Sequence, residues 1–154
     1  GIDALNYLGT QYNNQTKITF IAKTITNIAS TEAGIKALIK ADTITTLIHL
    51  VTQIDRKFSL NRLATQLDRT LSFLVGSGYH IAEAMLTITN SEAGITAFIK
   101  NNGENALNQF EAQVATQDNF ERKSTEKLIK KIKKRLKKER LKMEPKQDLC
   151  CIVS

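Results

Sequence analysis

The residues best placed for chemistry are Cys150 and Cys151, followed by Ile152, Val153 and Ser154. Cys151-Ile152-Val153-Ser154 fits the C-a-a-X pattern read by protein prenyltransferases. The chemistry expected there is a thioether between the Cys151 sulfur and a prenyl chain. Serine in the last position points to farnesyl rather than geranylgeranyl. Cys150, directly before it, is a candidate for palmitoylation. A single lipid chain gives only marginal, reversible membrane attachment, so a second signal is required. The second signal is upstream, in "ERKSTEKLIKKIKKRLKKERLKMEP". Lys127, Lys130, Lys131, Lys133, Lys134, Arg135, Lys137, Lys138, Arg140 and Lys142 are the candidate membrane-binding residues. Lysines near an anionic leaflet contribute about 1 kcal/mol each.

Other chemistries find little support. The histidines, His49 and His80, stand apart in the sequence and read as ordinary helix residues. No HExxH, GxSxG, Walker or dinucleotide motif is present. Adjacent cysteines at the chain end cannot staple a core or hold a metal with a second pair. A reducing compartment is the implication. The sequence therefore calls for no enzyme activity, no cofactor and no metal.

Charge is divided along the chain. The formal net charge is +7 over 154 residues. Residues 1–119 hold 9 Lys/Arg against 10 Asp/Glu, whereas residues 120–154 hold 13 against 5. The body is thus near neutral, and the basic character sits in one segment. Asp118 with Glu121 reads as a helix start, and Pro145 as a stop. A helix from about Asn119 to Met143 would be roughly 37 Å long. Leu128, Ile132, Leu136 and Met143 form its apolar stripe, with Ile129 and Leu141 beside it. Either the stripe docks on the body and the lysines are a solvated face, or the lysines serve a partner.

The body must position this segment, and its strongest signal is internal similarity. "STEAGIKALIK" from Ser30 and "NSEAGITAFIK" from Asn90 align at an offset of 60 residues. Identities extend from Ile21/Ile81 to Leu47/Leu107, and Glu32, Gly34 and Lys40 recur as Glu92, Gly94 and Lys100. Gly1-Ile2-Asp3-Ala4-Leu5 is a shorter echo of Gly34-Ile35-Lys36-Ala37-Leu38. Ile18, Ile21, Ile25 and Ile28 recur at helical spacing, as do Ile44, Leu47, Ile48, Val51 and Ile54. Leu60, Leu63, Ala64, Leu67, Leu71 and Leu74 form a third series. Asp42 and Ser59 are candidate N-caps. Gly76-Ser77-Gly78 and Asn101-Asn102-Gly103 read as breaks. Self-similarity at such periods suggests stacked helices. The predicted class is all-α.

"EAGIKALIKADTITTLIHLV", Glu32 to Val51, resembles an armadillo or HEAT-type repeat. The resemblance implies a short helix, a turn of small residues, a second helix, and a third from Leu60 to Val75. It covers most of residues 1–117 and implies an interaction scaffold. The expected organisation is a helical-repeat domain at 1–117, a basic amphipathic helix at 118–144, and a flexible C-a-a-X tail at 145–154. "GIDALNYLGT" already reads as the interior of a helical unit, so this is expected to be the C-terminal part of a longer protein or a trimmed one. The functional expectation is an adaptor that binds an unidentified protein partner. It would be farnesylated by prenyl-processing enzymes and held on anionic lipids at a cytoplasmic membrane face of a eukaryotic cell. The alternative is a nucleic-acid or acidic-protein binder with an accidental C-a-a-X match. The absence of aromatic residues after Phe120 disfavours nucleic acid, since bases would find nothing to stack on. Asn, Thr, Ile and Lys richness suits an AT-rich genome, of an amoeboid protist or of a bacterium that delivers proteins into eukaryotic cells. In the second case the membrane would be the host's.

Overall fold

The computed structural model describes residues 1–11, 15–64, 77–116 and 121–144, with the side chains of the fourth helix described through Ile54. Eight helices are present among them: α1 (Ile2–Gln11), α2 (Gln15–Ile28), α3 (Glu32–Lys40), α4 (Thr43–Ala64), α5 (Ser77–Ile88), α6 (Glu92–Lys100), α7 (Gly103–Ala115) and α8 (Arg122–Met143). No strand occurs among the described residues. The all-α class follows from the 3.6-residue spacing of the isoleucines and leucines. Ile18, Ile21 and Ile25 of α2, and Ile44, Leu47, Val51 and Ile54 of α4, are all buried.

The two similar stretches adopt matching local structure. Thr31 caps α3 and Ser91 caps α6, each side-chain oxygen accepting from the N–H of Gly34 or Gly94. These bonds satisfy donors that the first helical turn leaves without partners. Glu32 and Glu92 stand in the first turns, and Lys40 and Lys100 in the last, where each charge suits the helix dipole. Gly34 and Gly94 are fixed by space, because a Cβ at either would overlap the carbonyl of Ile28 or Ile88. After each short helix one residue turns left-handed, Asp42 at φ 56° and Asn102 at φ 58°. Asp and Asn tolerate that region better than most residues.

Helices α2, α5 and α8 pack in succession, and α1, α4 and α7 pack in succession beside them. The α2–α5 interface is the most extensive. The α2–α3 and α5–α6 turns line one shallow depression through Ser30, Thr31, Glu32, Asn90, Ser91 and Glu92. The same ends of α2 and α5 are therefore together, and the two helices run in the same direction. Helix α5, between α2 and α8, buries Ile81, Ala82, Ala84, Met85 and Ile88. Helices α3 and α6 are neighbours in their turn.

Several local expectations need correction. Ser59 does not cap a helix; it is inside α4, which runs without a break to Ala64. Leu60, Leu63 and Ala64 thus belong to α4 and do not open a third helix, and Leu67, Leu71 and Leu74 lie outside the described residues. Gly76 lies outside the described residues; Ser77 and Gly78 form the buried first turn of α5, where the ring of Phe110 passes close to Gly78. The Asp42 carboxylate accepts from the Thr45 hydroxyl at 2.8 Å rather than from a backbone N–H. The Gly1–Leu5 echo is helical from Ile2 in α1 as Gly34–Leu38 is in α3, with Leu5 and Leu38 both buried and both helices packed on α4.

Candidate functional site

The basic segment forms α8, and its apolar residues sort cleanly. Ile129, Ile132 and Leu136 are fully buried and join the same core as α2, α4 and α5, with Leu128 packed at the margin. Met143 is 47% exposed, and Leu141 is 63% exposed. Contrary to the expectation from sequence, Leu141 does not lie beside the stripe. It follows Ile132 by nine residues, about two and a half turns, which places it on the opposite side. No helix among the described residues is long and apolar enough to cross a membrane.

The cations of α8 divide into two sets. The first is engaged with the body or along the helix. Lys133 pairs with Glu111, and Arg140 pairs with Glu104 at 2.7 Å, both partners on α7. Glu111 lies near the end of α7 and Glu104 near its start, so α8 runs antiparallel to α7. The Arg135 guanidinium donates at 3.2 Å to the carbonyl of Leu86, in the last turn of α5, where carbonyls lack helical partners. Arg122 pairs with Glu126 at 2.8 Å. Lys142 pairs with Glu139 at 2.9 Å, and that hydrogen bond and charge hold its ammonium above the usual lysine range.

The second set is Lys123, Lys127, Lys130, Lys131, Lys134, Lys137 and Lys138, all exposed. No hydrogen bond or ion pair ties them to any described residue. Their spacings of three, four and seven put all seven on one face, opposite the buried stripe. The face contains no arginine. The arginines all fall in the engaged set, with Lys133 and Lys142 beside them, as suits a planar guanidinium made for directed bonds. The like-charged pairs at i,i+4 here (Lys123/Lys127, Lys127/Lys131, Lys130/Lys134 and Lys134/Lys138) together cost the helix roughly 1–2 kcal/mol. Burial of Ile129, Ile132 and Leu136, about 1.5–3 kcal/mol each, offsets that cost.

Of the predicted membrane-binding residues, the structure therefore brings Lys127, Lys130, Lys131, Lys134, Lys137 and Lys138 together on the free face. It directs Lys133, Arg135, Arg140 and Lys142 to other partners. Lys123 belongs to the face and was missed, though its spacing from Lys127 and Lys130 was legible. Cys150 and Cys151 lie outside the described residues. His49 hydrogen-bonds Gln53 one turn on at 2.7 Å, and His80 meets Glu83 at 3.3 Å. Among the described residues no group of three His, Cys, Asp or Glu side chains is placed to hold a metal.

No protein-family model matches the chain, and neither a curated protein nor a solved structure shows significant similarity to it.

Proposed function

We propose that this protein is a helical scaffold held on an anionic, cytoplasmic membrane face by the lysine side of α8. The observation that carries the reading is the set of seven exposed lysines that make no ion pair with any described residue, mounted on a helix whose other side is locked into the core; Glu126, which lines a groove with several of them, is paired with Arg122. Such a face attracts a polyanionic surface without selecting a particular arrangement of phosphates. If roughly four of the lysines engage at about 1 kcal/mol each, partitioning rises about a thousandfold. The second anchor in the proposal is a farnesyl group on Cys151, with palmitate on Cys150 as a further chain. That part rests on the C-a-a-X sequence alone.

The body in this reading is an irregular stack of armadillo- or HEAT-like units. Matching caps at Thr31 and Ser91, matching left-handed turns at Asp42 and Asn102, and the α1–α4–α7 and α2–α5–α8 successions support it. Each unit would present surface to a protein partner, as stacked repeats do.

The test is sedimentation with phosphatidylcholine vesicles, with and without phosphatidylserine. Binding should require phosphatidylserine and should weaken as salt rises, because exposed charges are screened. Replacing Lys127, Lys130, Lys131 and Lys134 by Gln should abolish the charge-dependent part. In eukaryotic cells, intact mass should show farnesyl and loss of Ile152-Val153-Ser154, and Cys151→Ser should release the protein to the cytosol. A protein that ignores anionic vesicles and binds duplex DNA would overturn the membrane reading in favour of phosphate-backbone contact.

A further inference from the structure

The lysine face of α8 ends in an apolar residue that the core does not use. Leu141 is 63% exposed. It follows Lys138 by three residues, Lys137 by four, Lys134 by seven, Lys130 by eleven and Lys123 by eighteen. Each interval is close to a whole number of turns, the last about five. Leu141 thus continues the midline of the lysine face. A single exposed leucine is ordinary on a protein surface. Its position here is what distinguishes it, since the exposed α8 residues nearest that line are otherwise all lysine, with the partly buried Glu126 at its edge.

We propose that Leu141 enters the acyl boundary of an anionic bilayer when the lysine face of α8 lies on the headgroups. The proposal rests on the membrane reading above. Lysine stems can spread over apolar surface while their ammonium groups stay with phosphates, so the face can settle close enough for a leucine to reach hydrocarbon. The occupant is a lipid surface rather than a nucleic acid on two grounds. The face offers neither an aromatic ring nor an unengaged arginine. A leucine on its midline would contribute nothing against a phosphate backbone, whereas in a bilayer it moves from water to hydrocarbon. The outcome is a defined orientation: α8 against the membrane, α5 beyond it and α2 outermost.

The chain contains no tryptophan, so Leu141→Trp creates a single fluorescent reporter. Phe20→Trp is the matching control, because Phe20 is exposed on α2 at the other end of the α2–α5–α8 succession. Both variants are mixed with phosphatidylcholine–phosphatidylserine vesicles, with binding followed in parallel by sedimentation. The expected result is a blue shift and quenching by brominated acyl chains at position 141, with neither at position 20. Leu141→Ala should weaken partitioning about tenfold without lowering the melting temperature, since the side chain is outside the core. Sedimentation of the Leu141→Trp variant with vesicles, while its indole emission stays unshifted and unquenched, would overturn the insertion of Leu141 and leave the lysine-face reading standing. Failure of the wild-type chain to sediment with these vesicles would overturn both.

Discussion

Arginine and lysine are not used interchangeably in α8. Every arginine makes a directed contact: Arg122 to Glu126, Arg135 to the Leu86 carbonyl, Arg140 to Glu104. The lysines of the outer face make none among the described residues. The engaged and the unengaged cations should therefore respond oppositely to removal. Arg135→Ala deletes a charge-assisted bond to a helix-end carbonyl and should cost about 1 kcal/mol in urea unfolding. Lys134→Ala relieves repulsion from Lys130 and Lys138 and replaces lysine by the best helix former. Its stability should be unchanged or raised by up to about 0.5 kcal/mol. Vesicle binding should reverse the order, with Lys134→Ala the weaker binder. A stability loss at Lys134 equal to that at Arg135 would show that the outer face has structural partners after all.

At the scale of the elements, the short helices α3 and α6 are held by the same two devices, a hydroxyl cap and a glycine against the preceding helix end. Ser91→Ala should cost about 1 kcal/mol. Gly94→Ala would ordinarily gain up to about 1 kcal/mol by helix propensity. Here the added methyl meets the Ile88 carbonyl, so a net loss of more than about 1 kcal/mol is expected in thermal or urea unfolding. The same pair of changes at Thr31 and Gly34 should behave alike. These two turns were legible in the sequence because capping residue, acidic first turn and glycine recur at the same offset. The boundary at Ser59 was misread for an equally physical reason. A serine before a leucine series looks like a cap, but a helix already carried by Ile44, Leu47, Val51 and Ile54 simply continues through it. Ser77 and Gly78 open α5, and the Phe110 ring beside Gly78 adds a close helix approach that the sequence does not signal. The opposite sides taken by Leu141 and the α8 stripe follow from spacing alone. The pairing of Arg140 with Glu104 and Lys133 with Glu111 does not, because it depends on which helix lies beside α8.

At the scale of the whole molecule, the consequence of burying Ile129, Ile132 and Leu136 is that the lysine face is preformed. A free basic segment of this composition would be a poor helix in water, with like charges along one side and few apolar residues on the other. It would have to order on the membrane and lose part of its binding energy to that ordering. Docked against α5 and α7, α8 is already ordered by the folding of the body, and the lysines are displayed at fixed spacing before any partner arrives. Far-UV circular dichroism should therefore change little when anionic vesicles are added at saturating lipid. Ile132→Asp should uncouple the two, because an unpaired carboxylate in the core would undock α8 or destabilise the fold by several kcal/mol. A variant that still folds should start with less helix and gain it on vesicles. If the wild-type chain itself gained a large helical signal on binding, α8 would not be docked in solution, and the preformed face would give way to one that folds on the lipid.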